Sequence, residues 1–341
     1  MTVTRPIAVS MGEPAGIGPE IILKAWAARR TENVPPFIVF GIPHLFERLA
    51  KAAGVPIALV PSSKEAALRF DEGLPVFSGM GYRGEIAPGT PSAATAPCVL
   101  LSLERALTSV REGSARAMVT APIQKAVLVG AHFPYPGHTE YLAAKCATGG
   151  GAAPEPLMLL VGGGLRVALV TVHTPLKDVA AQLSPAAIVR KGEILARGLE
   201  TDFGIAAPRI AVAALNPHAG EAGMLGREEI EIITPAVARL TERGIAAKGP
   251  FPSDTLFHAG ARANYDAVLC MYHDQALIPL KTLDFTTGVN VTLGLPVVRT
   301  SPDHGTALDI AGKNVADASS LIAALKLAGE IAERRERAAA R

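Results

Sequence analysis

Three histidines each stand just past a run that reads as a β-strand. His173 closes Val167-Ala-Leu-Val-Thr-Val-His173, His218 follows Ile210-Ala-Val-Ala-Ala-Leu-Asn-Pro-His218, and His273 follows Ala267-Val-Leu-Cys-Met-Tyr-His273. Open α/β sheets bind ligands beyond the carboxyl ends of their strands, so imidazoles placed there can converge although they are distant in sequence. Three neutral nitrogen donors with an open fourth position describe a catalytic divalent metal centre, for which Zn, Co or Ni suits imidazole better than Mg or Mn. A lone loop histidine is usually nothing more than that. The shared placement sets these three apart, provided that their strands are neighbours.

A second set is cationic and polar: His138 and Thr139 in Pro136-Gly-His-Thr-Glu140, Lys281, Asn290 in Gly288-Val-Asn-Val-Thr292, and Arg299 ahead of Thr300-Ser301. Arg offers a bidentate fork, Lys a point charge, and amide and hydroxyl groups add donors, which together suit a phosphate or carboxylate. Taken singly, each Lys or Arg reads as a solvated surface charge. Asp254 and Asp274 could act as a base or orient an imidazole. The loop Gly12-Glu-Pro-Ala-Gly-Ile-Gly18 joins a strand to a helix, where backbone NH groups can meet an anion; a tight structural connection explains it at least as well. Its spacing is not GxGxxG, no Gly-Lys-Ser/Thr follows, and the chain has no GxSxG elbow.

The elements that must position these groups alternate. Ile7-Ala-Val-Ser-Met11, 37–40, 57–60, 117–120, 210–215 and 267–271 read as strands, and 21–30, 98–112, 227–243 and a stretch opened by Ser184-Pro185 as helices. Residues 157–161 and 166–172 fit a hairpin turning at Gly162-Gly-Gly164, Gly149-Gly-Gly-Ala-Ala-Pro154 a flexible connection, and 330–341 a charged terminal helix. This is the pattern of an α/β protein with a mostly parallel sheet.

With 341 residues, 49% of them hydrophobic, two lobes with substantial cores are expected. Only 5% are aromatic, so aliphatic side chains must build those cores. A net charge of +2 gives no broad basic field, which argues against nucleic acid and anionic membrane as partners. Three scattered cysteines, Cys98, Cys146 and Cys270, and an amino terminus without a signal-peptide pattern point to the cytoplasm. The 33 Gly and 27 Pro imply many tight strand-to-helix turns, where function tends to sit.

The ordered blocks Met11-Gly-Glu-Pro-Ala-Gly-Ile-Gly-Pro-Glu20, Pro136-Gly-His-Thr-Glu140, Leu215-Asn-Pro-His-Ala-Gly-Glu221, Asp254-Thr-Leu-Phe257, Met271-Tyr-His-Asp-Gln275 and Thr300-Ser-Pro-Asp-His-Gly-Thr306 resemble the 4-hydroxythreonine-4-phosphate dehydrogenase family of vitamin B6 synthesis. The resemblance implies a two-lobed α/β/α fold like those of isocitrate and isopropylmalate dehydrogenases, with the active site in the cleft between lobes. It places 1–125 with 300–341 in a first lobe carrying part of the NAD site, and 126–299 in a second with the metal ligands and dimer interface. It assigns the metal to His173, His218 and His273, and substrate contacts to His138, Thr139, Lys281, Asn290 and Arg299. His304, Gly305 and Asp309 become cofactor candidates because 304–313 resembles the adenosine loop of isopropylmalate dehydrogenases, a pattern that departs at Asp317.

The implied reaction is oxidation of 4-phosphooxy-L-threonine by NAD or NADP with loss of carbon dioxide. One divalent ion, Zn, Co or Mg, assists it, and Lys281 or Asp254 accepts the proton. The implied assembly is a homodimer with an active site shared between subunits. Related enzymes act on threonate or erythronate 4-phosphate, others on aromatic dihydrodiols, and phosphate acyltransferases share the broad fold. The phosphate-holding residues disfavour a dihydrodiol, and three spare histidines disfavour acyl transfer, which needs no metal.

Overall fold

Short apolar runs bounded by Gly and Pro become buried strands, and amphipathic stretches between them become the helices that cover the sheet faces. The computed structural model describes residues 5–130, 135, 137–147 and 152–340. Gly149-Gly-Gly151 of the expected flexible connection, as well as Pro136, lies outside the described residues. The chain divides into two compact units, residues 1–154 with 295–333 and residues 155–294 with 334–341.

The first unit holds strands β1 (Ile7–Ser10), β2 (Phe37–Phe40), β3 (Ile57–Val60), β4 (Leu74–Phe77) and β5 (Ala117–Thr120). The second holds β6 (Leu157–Gly162), β7 (Leu165–Leu169), β8 (Arg209–Ala213), β9 (Ala246–Phe251), β10 (Ala267–Cys270) and β11 (Val289–Leu293). The chain returns to the first unit in β12 (Arg299–Pro302), which pairs with β5. The strand order is β3-β4-β2-β1-β5-β12 in the first unit, with every pair parallel. In the second it is β11-β6-β7-β10-β8-β9, where β11/β6 and the hairpin β6/β7 are antiparallel and the rest parallel. The mostly parallel α/β reading therefore holds.

Aliphatic packing dominates both cores, as the low aromatic content requires. In the second unit Leu160, Val167, Leu169, Val268 and Leu280 meet in one buried cluster. In the first, Phe37, Ile38 and Phe46 are fully buried, and Trp26 keeps its indole NH bonded to the Phe70 carbonyl at 2.9 Å. The helix His138–Cys146 belongs to the first unit, although the expected boundary after residue 125 put it in the second. It buries Tyr141, Leu142 and Cys146, and its Lys145 carbonyl accepts from Arg111 at 3.0 Å, at the end of the helix Ala96–Arg111.

Ser184 caps the helix Pro185–Thr201 by accepting from the Ala187 NH, as its sequence suggests. The expected helix over 227–243 differs: it opens as a π-helical turn, Glu229–Ile233, before the α-helix Thr234–Glu242. No helix among the described residues is long and apolar enough to cross a membrane.

Candidate functional site

Strands β7, β10 and β8 are adjacent and parallel, so the three histidines leave three neighbouring strands at the same end. Pairing between the first two continues past the regular strands. The Val170 NH donates to the Cys270 carbonyl at 2.9 Å, and the Thr171 NH and hydroxyl both donate to the Met271 carbonyl, at 3.2 and 2.7 Å. Two residues later His173 and His273 stand with ring centroids 5.6 Å apart.

His273 begins the helix His273–Leu283, and its Nδ1 lies 2.7 Å from Asp274 Oδ1. With the proton on Nδ1, that carboxylate fixes the tautomer and leaves Nε2 as a lone-pair donor. Gln275, 6% exposed, ties the surroundings together: it accepts from the Met271 NH at 2.6 Å and donates to the Ala214 carbonyl and to Ser253 Oγ at 2.7 Å. Asp254, next to Ser253, is exposed on a single 3-10 turn.

His218 sits in an unusual backbone. Residues 218–222 all have positive φ, between +42° and +78°, although only Gly220 lacks a Cβ. Left-handed geometry costs an L-residue roughly 1–2 kcal/mol, so a run of this kind persists only when its surroundings over-determine it. Glu229, 3% exposed, supplies that constraint: Oε1 accepts from the Leu215 and Asn216 NH groups at 2.8 and 2.7 Å, and Oε2 from the Asn216 amide at 3.0 Å. Burial pushes this carboxyl upward, but the bonds from Asn216, its own backbone and Leu215 outweigh burial and hold it below the usual carboxylate range.

The donor chemistry fits a divalent ion: imidazoles on neighbouring strand ends, one of them oriented by a carboxylate. Within one chain, however, no group of three or more His, Cys, Asp or Glu side chains among the described residues stands close enough to hold a metal. Lys281, on the helix that His273 opens, extends over the Phe285 ring with Nζ 5.4 Å from its centroid. Asn290 lies on β11 with its Oδ1 buried and without a hydrogen-bond partner.

The first unit carries a cationic cluster. Arg299, 3% exposed on β12, donates to Thr120 Oγ1 at 2.7 Å at the end of β5, and burial pushes its pKa down to about 10 against the pull of Glu140. His138 begins its helix after Gly137, with Nε2 buried and unpartnered. Burial, then the charges of Arg299 and Lys125, holds its pKa well below the ordinary histidine value, which disfavours the charged ring. Thr139 follows on the same turn, partly buried.

Lys125 was not singled out from the sequence. The signal was present all the same, since Thr120-Ala-Pro-Ile-Gln-Lys125 leaves the carboxyl end of a parallel strand just as the histidine segments do.

His304, Gly305 and Asp309 follow β12. His304 Nδ1 lies 3.1 Å from the Gly305 carbonyl and its Nε2 is buried without a partner, while Gly305 and Asp309 are exposed. The segment beyond is strapped to the helix Gly18–Ala27: Lys24 donates to the carbonyls of Asn314 and Ala316 at 3.0 and 2.7 Å, and Glu20 accepts from the Ala316 NH at 3.0 Å. Beside this strap, Pro14, Gly16, Lys24, Arg48, Gly312 and Asn314 help to line a cavity of about 390 Å³.

The loop before that helix is a structural connection. Its NH groups at Glu13, Ala15, Gly16 and Ile17 are bonded to the Pro122 carbonyl, the Glu13 side chain, the Glu13 carbonyl and the Thr306 carbonyl. Gly12, at φ +71°, lies so close to Pro122 that a Cβ there would strike its carbonyl oxygen.

Outside arginine, the buried side-chain atoms without a partner among the described residues are Ser10 Oγ, His138 Nε2, Asn290 Oδ1 and His304 Nε2. Three of these four are candidate contacts, and orphaned buried polar atoms are where an absent ligand would bond.

Comparison with known proteins gives the family of the chain. The family model described as pyridoxal phosphate biosynthetic protein PdxA matches residues 32–328. A 4-hydroxythreonine-4-phosphate dehydrogenase of Caulobacter vibrioides is 52% identical over 97% of this chain and 99% of its own length, and one of Maricaulis maris is 52% identical over 98% and 99%. The crystal structure of the enzyme so named from Klebsiella pneumoniae aligns with a TM-score of 0.83 at 36% identity, covering 96% of this chain and 100% of that one.

Proposed function

Because the chain belongs to the PdxA family of pyridoxal phosphate biosynthetic proteins, we propose that it oxidises 4-phosphooxy-L-threonine at C3 with NAD or NADP and releases carbon dioxide, leaving 3-amino-2-oxopropyl phosphate. The observation that carries this reading is the match between orphaned buried polar atoms and candidate contacts at His138, Asn290 and His304.

Each unit contributes a chemistry of its own. In the first, Arg299, Lys125 and His138 are the groups that would hold a phosphate, with Thr139 as a further donor. A dianion there relieves the repulsion that now disfavours charge on His138 and supplies an acceptor for a protonated Nε2. His304, Gly305 and Asp309, with the neighbouring cavity, are the cofactor's adenosine contacts. In the second unit His173, His218 and His273 would hold the divalent ion, Zn, Co or Mg, and Lys281 and Asn290 contact the substrate. When bound, the ion would lower the pKa of the reacting hydroxyl and later stabilise developing negative charge, while the nicotinamide would accept hydride. Lys281 or Asp254 accepts the hydroxyl proton; Asp254, exposed beside the Gln275 network, can pass it to solvent.

The active form in this reading is a homodimer whose metal site is completed between chains. Of the large apolar side chains exposed among the described residues, most lie in the second unit, with Met224 and Phe285 at 78% and Leu176 at 71%. Three buried free cysteines suit the cytoplasm. Threonate or erythronate 4-phosphate is the competing substrate class, since the phosphate-holding groups serve both. NADH absorbance assays across these substrates, with metal analysis of the purified protein, test the proposal. Turnover of 4-phosphooxy-L-threonine, abolished by chelation and restored by Zn, Co or Mg, is the expected result. Faster turnover of a hydroxy-acid phosphate, or full activity in chelated buffer, would overturn it.

A further inference from the structure

We propose that Glu229 is a positioning residue for His218: its buried carboxylate fixes the chain at 215–216 and against Gly220, and so holds the left-handed run 218–222 that presents the imidazole. The inference rests on reading His218 as a metal ligand. The carboxylate is gripped from both sides. Toward β8 it accepts the NH groups of Leu215 and Asn216 and the Asn216 amide, at 2.8, 2.7 and 3.0 Å. That amide also donates to Glu228 at 2.7 Å, so two consecutive acidic residues fix one asparagine.

On its other side the backbone of the left-handed run packs against it, because a Cβ on Gly220 would stand 2.6 Å from Glu229 Oε2. His218 lies between these two fixed points and is exposed. The π-helical opening at Glu229–Ile233 belongs to the same device, since it begins at the residue whose side chain reaches back to the strand end. An acceptor with two oxygens is needed here. Glutamine keeps the size but replaces one acceptor by an NH2 group facing NH donors.

The test uses the full-length protein with Co2+ as probe. Hydrogen exchange follows 215–222, and the visible absorption of bound Co2+ gives affinity. In Glu229→Gln, exchange at Leu215 and Asn216 is expected to rise while β10 stays protected, and Co2+ affinity to fall 10–100-fold, as for carboxylates that orient metal ligands elsewhere. Gly220→Ala, whose Cβ would press on the same carboxylate and on the Gly226 carbonyl, should reproduce both changes, and Glu229→Asp, too short to reach both NH groups, should do the same.

Unchanged exchange and Co2+ affinity in both Glu229→Gln and Gly220→Ala would overturn the proposal. If Glu229→Gln fails to fold, Glu229→Asp and Gly220→Ala decide. Wild-type affinity in His218→Ala would instead defeat the ligand reading, and the exchange measurement would still decide the role of Glu229.

Discussion

His138 shows how much of this chemistry is set by surroundings. Burial and the charges of Arg299 and Lys125 depress its pKa, so the folded state binds fewer protons than the unfolded chain. A depressed histidine stabilises the fold fully above its unfolded value of about 6.5 and loses that contribution as pH falls below it. Urea unfolding between about pH 7 and about pH 5 should therefore weaken less steeply in His138→Gln than in the wild type. Parallel curves would refute the assignment. Arg299 is tied to Thr120 and almost wholly buried; in its proposed role, Arg299→Ala removes a charge-assisted substrate contact worth about 2–3 kcal/mol. In steady-state assays kcat/KM should drop by roughly 30- to 150-fold, and Arg299→Lys should recover little, because a point charge replaces a fork.

At the scale of elements, sequence legibility followed hydrophobic pattern. β1, β2, β3, β5, β8 and β10 are apolar runs between turn residues, and all were readable as strands. β12 was not, since Arg-Thr-Ser-Pro is a polar string whose Thr300 and Ser301 are nonetheless buried, with Thr300 donating to the Ala324 carbonyl. β4 carries Pro75, which argues against a strand. The strand-end histidines were visible from spacing. Lys125 and Glu229 were not singled out, because a lone Lys reads as surface charge and because hydrogen bonds from Leu215 and Asn216 to a carboxylate over a dozen residues later leave no periodicity.

The helix Ser319–Ala339 has a similar long-range partner near its end: Arg335 Nε and Nη2 grip Asp202, 2% exposed, at 2.7 and 2.8 Å. Removing one member of a buried pair strands the other, so Arg335→Ala should cost about 3 kcal/mol in denaturant unfolding while leaving kcat unchanged in its absence. A loss below about 1 kcal/mol would mean that the pair is effectively solvated.

For the whole molecule, the assembly carries the proposal about metal. If two chains complete the site, Met224→Glu with Phe285→Glu should yield monomers by light scattering and lose metal binding at the same protein concentrations. Monomers that still bind metal stoichiometrically would show that one chain suffices.

The ends of the inserted segment also meet. A side chain on Gly294 would collide with the carbonyl oxygen of Glu155, so residues 155–294 leave and rejoin the rest of the sequence at nearly one point. A segment anchored this way is exchangeable: the host chain has no gap to span when one such insert replaces another, and the loop-closure entropy of the join hardly depends on what lies between. The histidine-bearing part can thus diverge while the rest of the chain stays as it is.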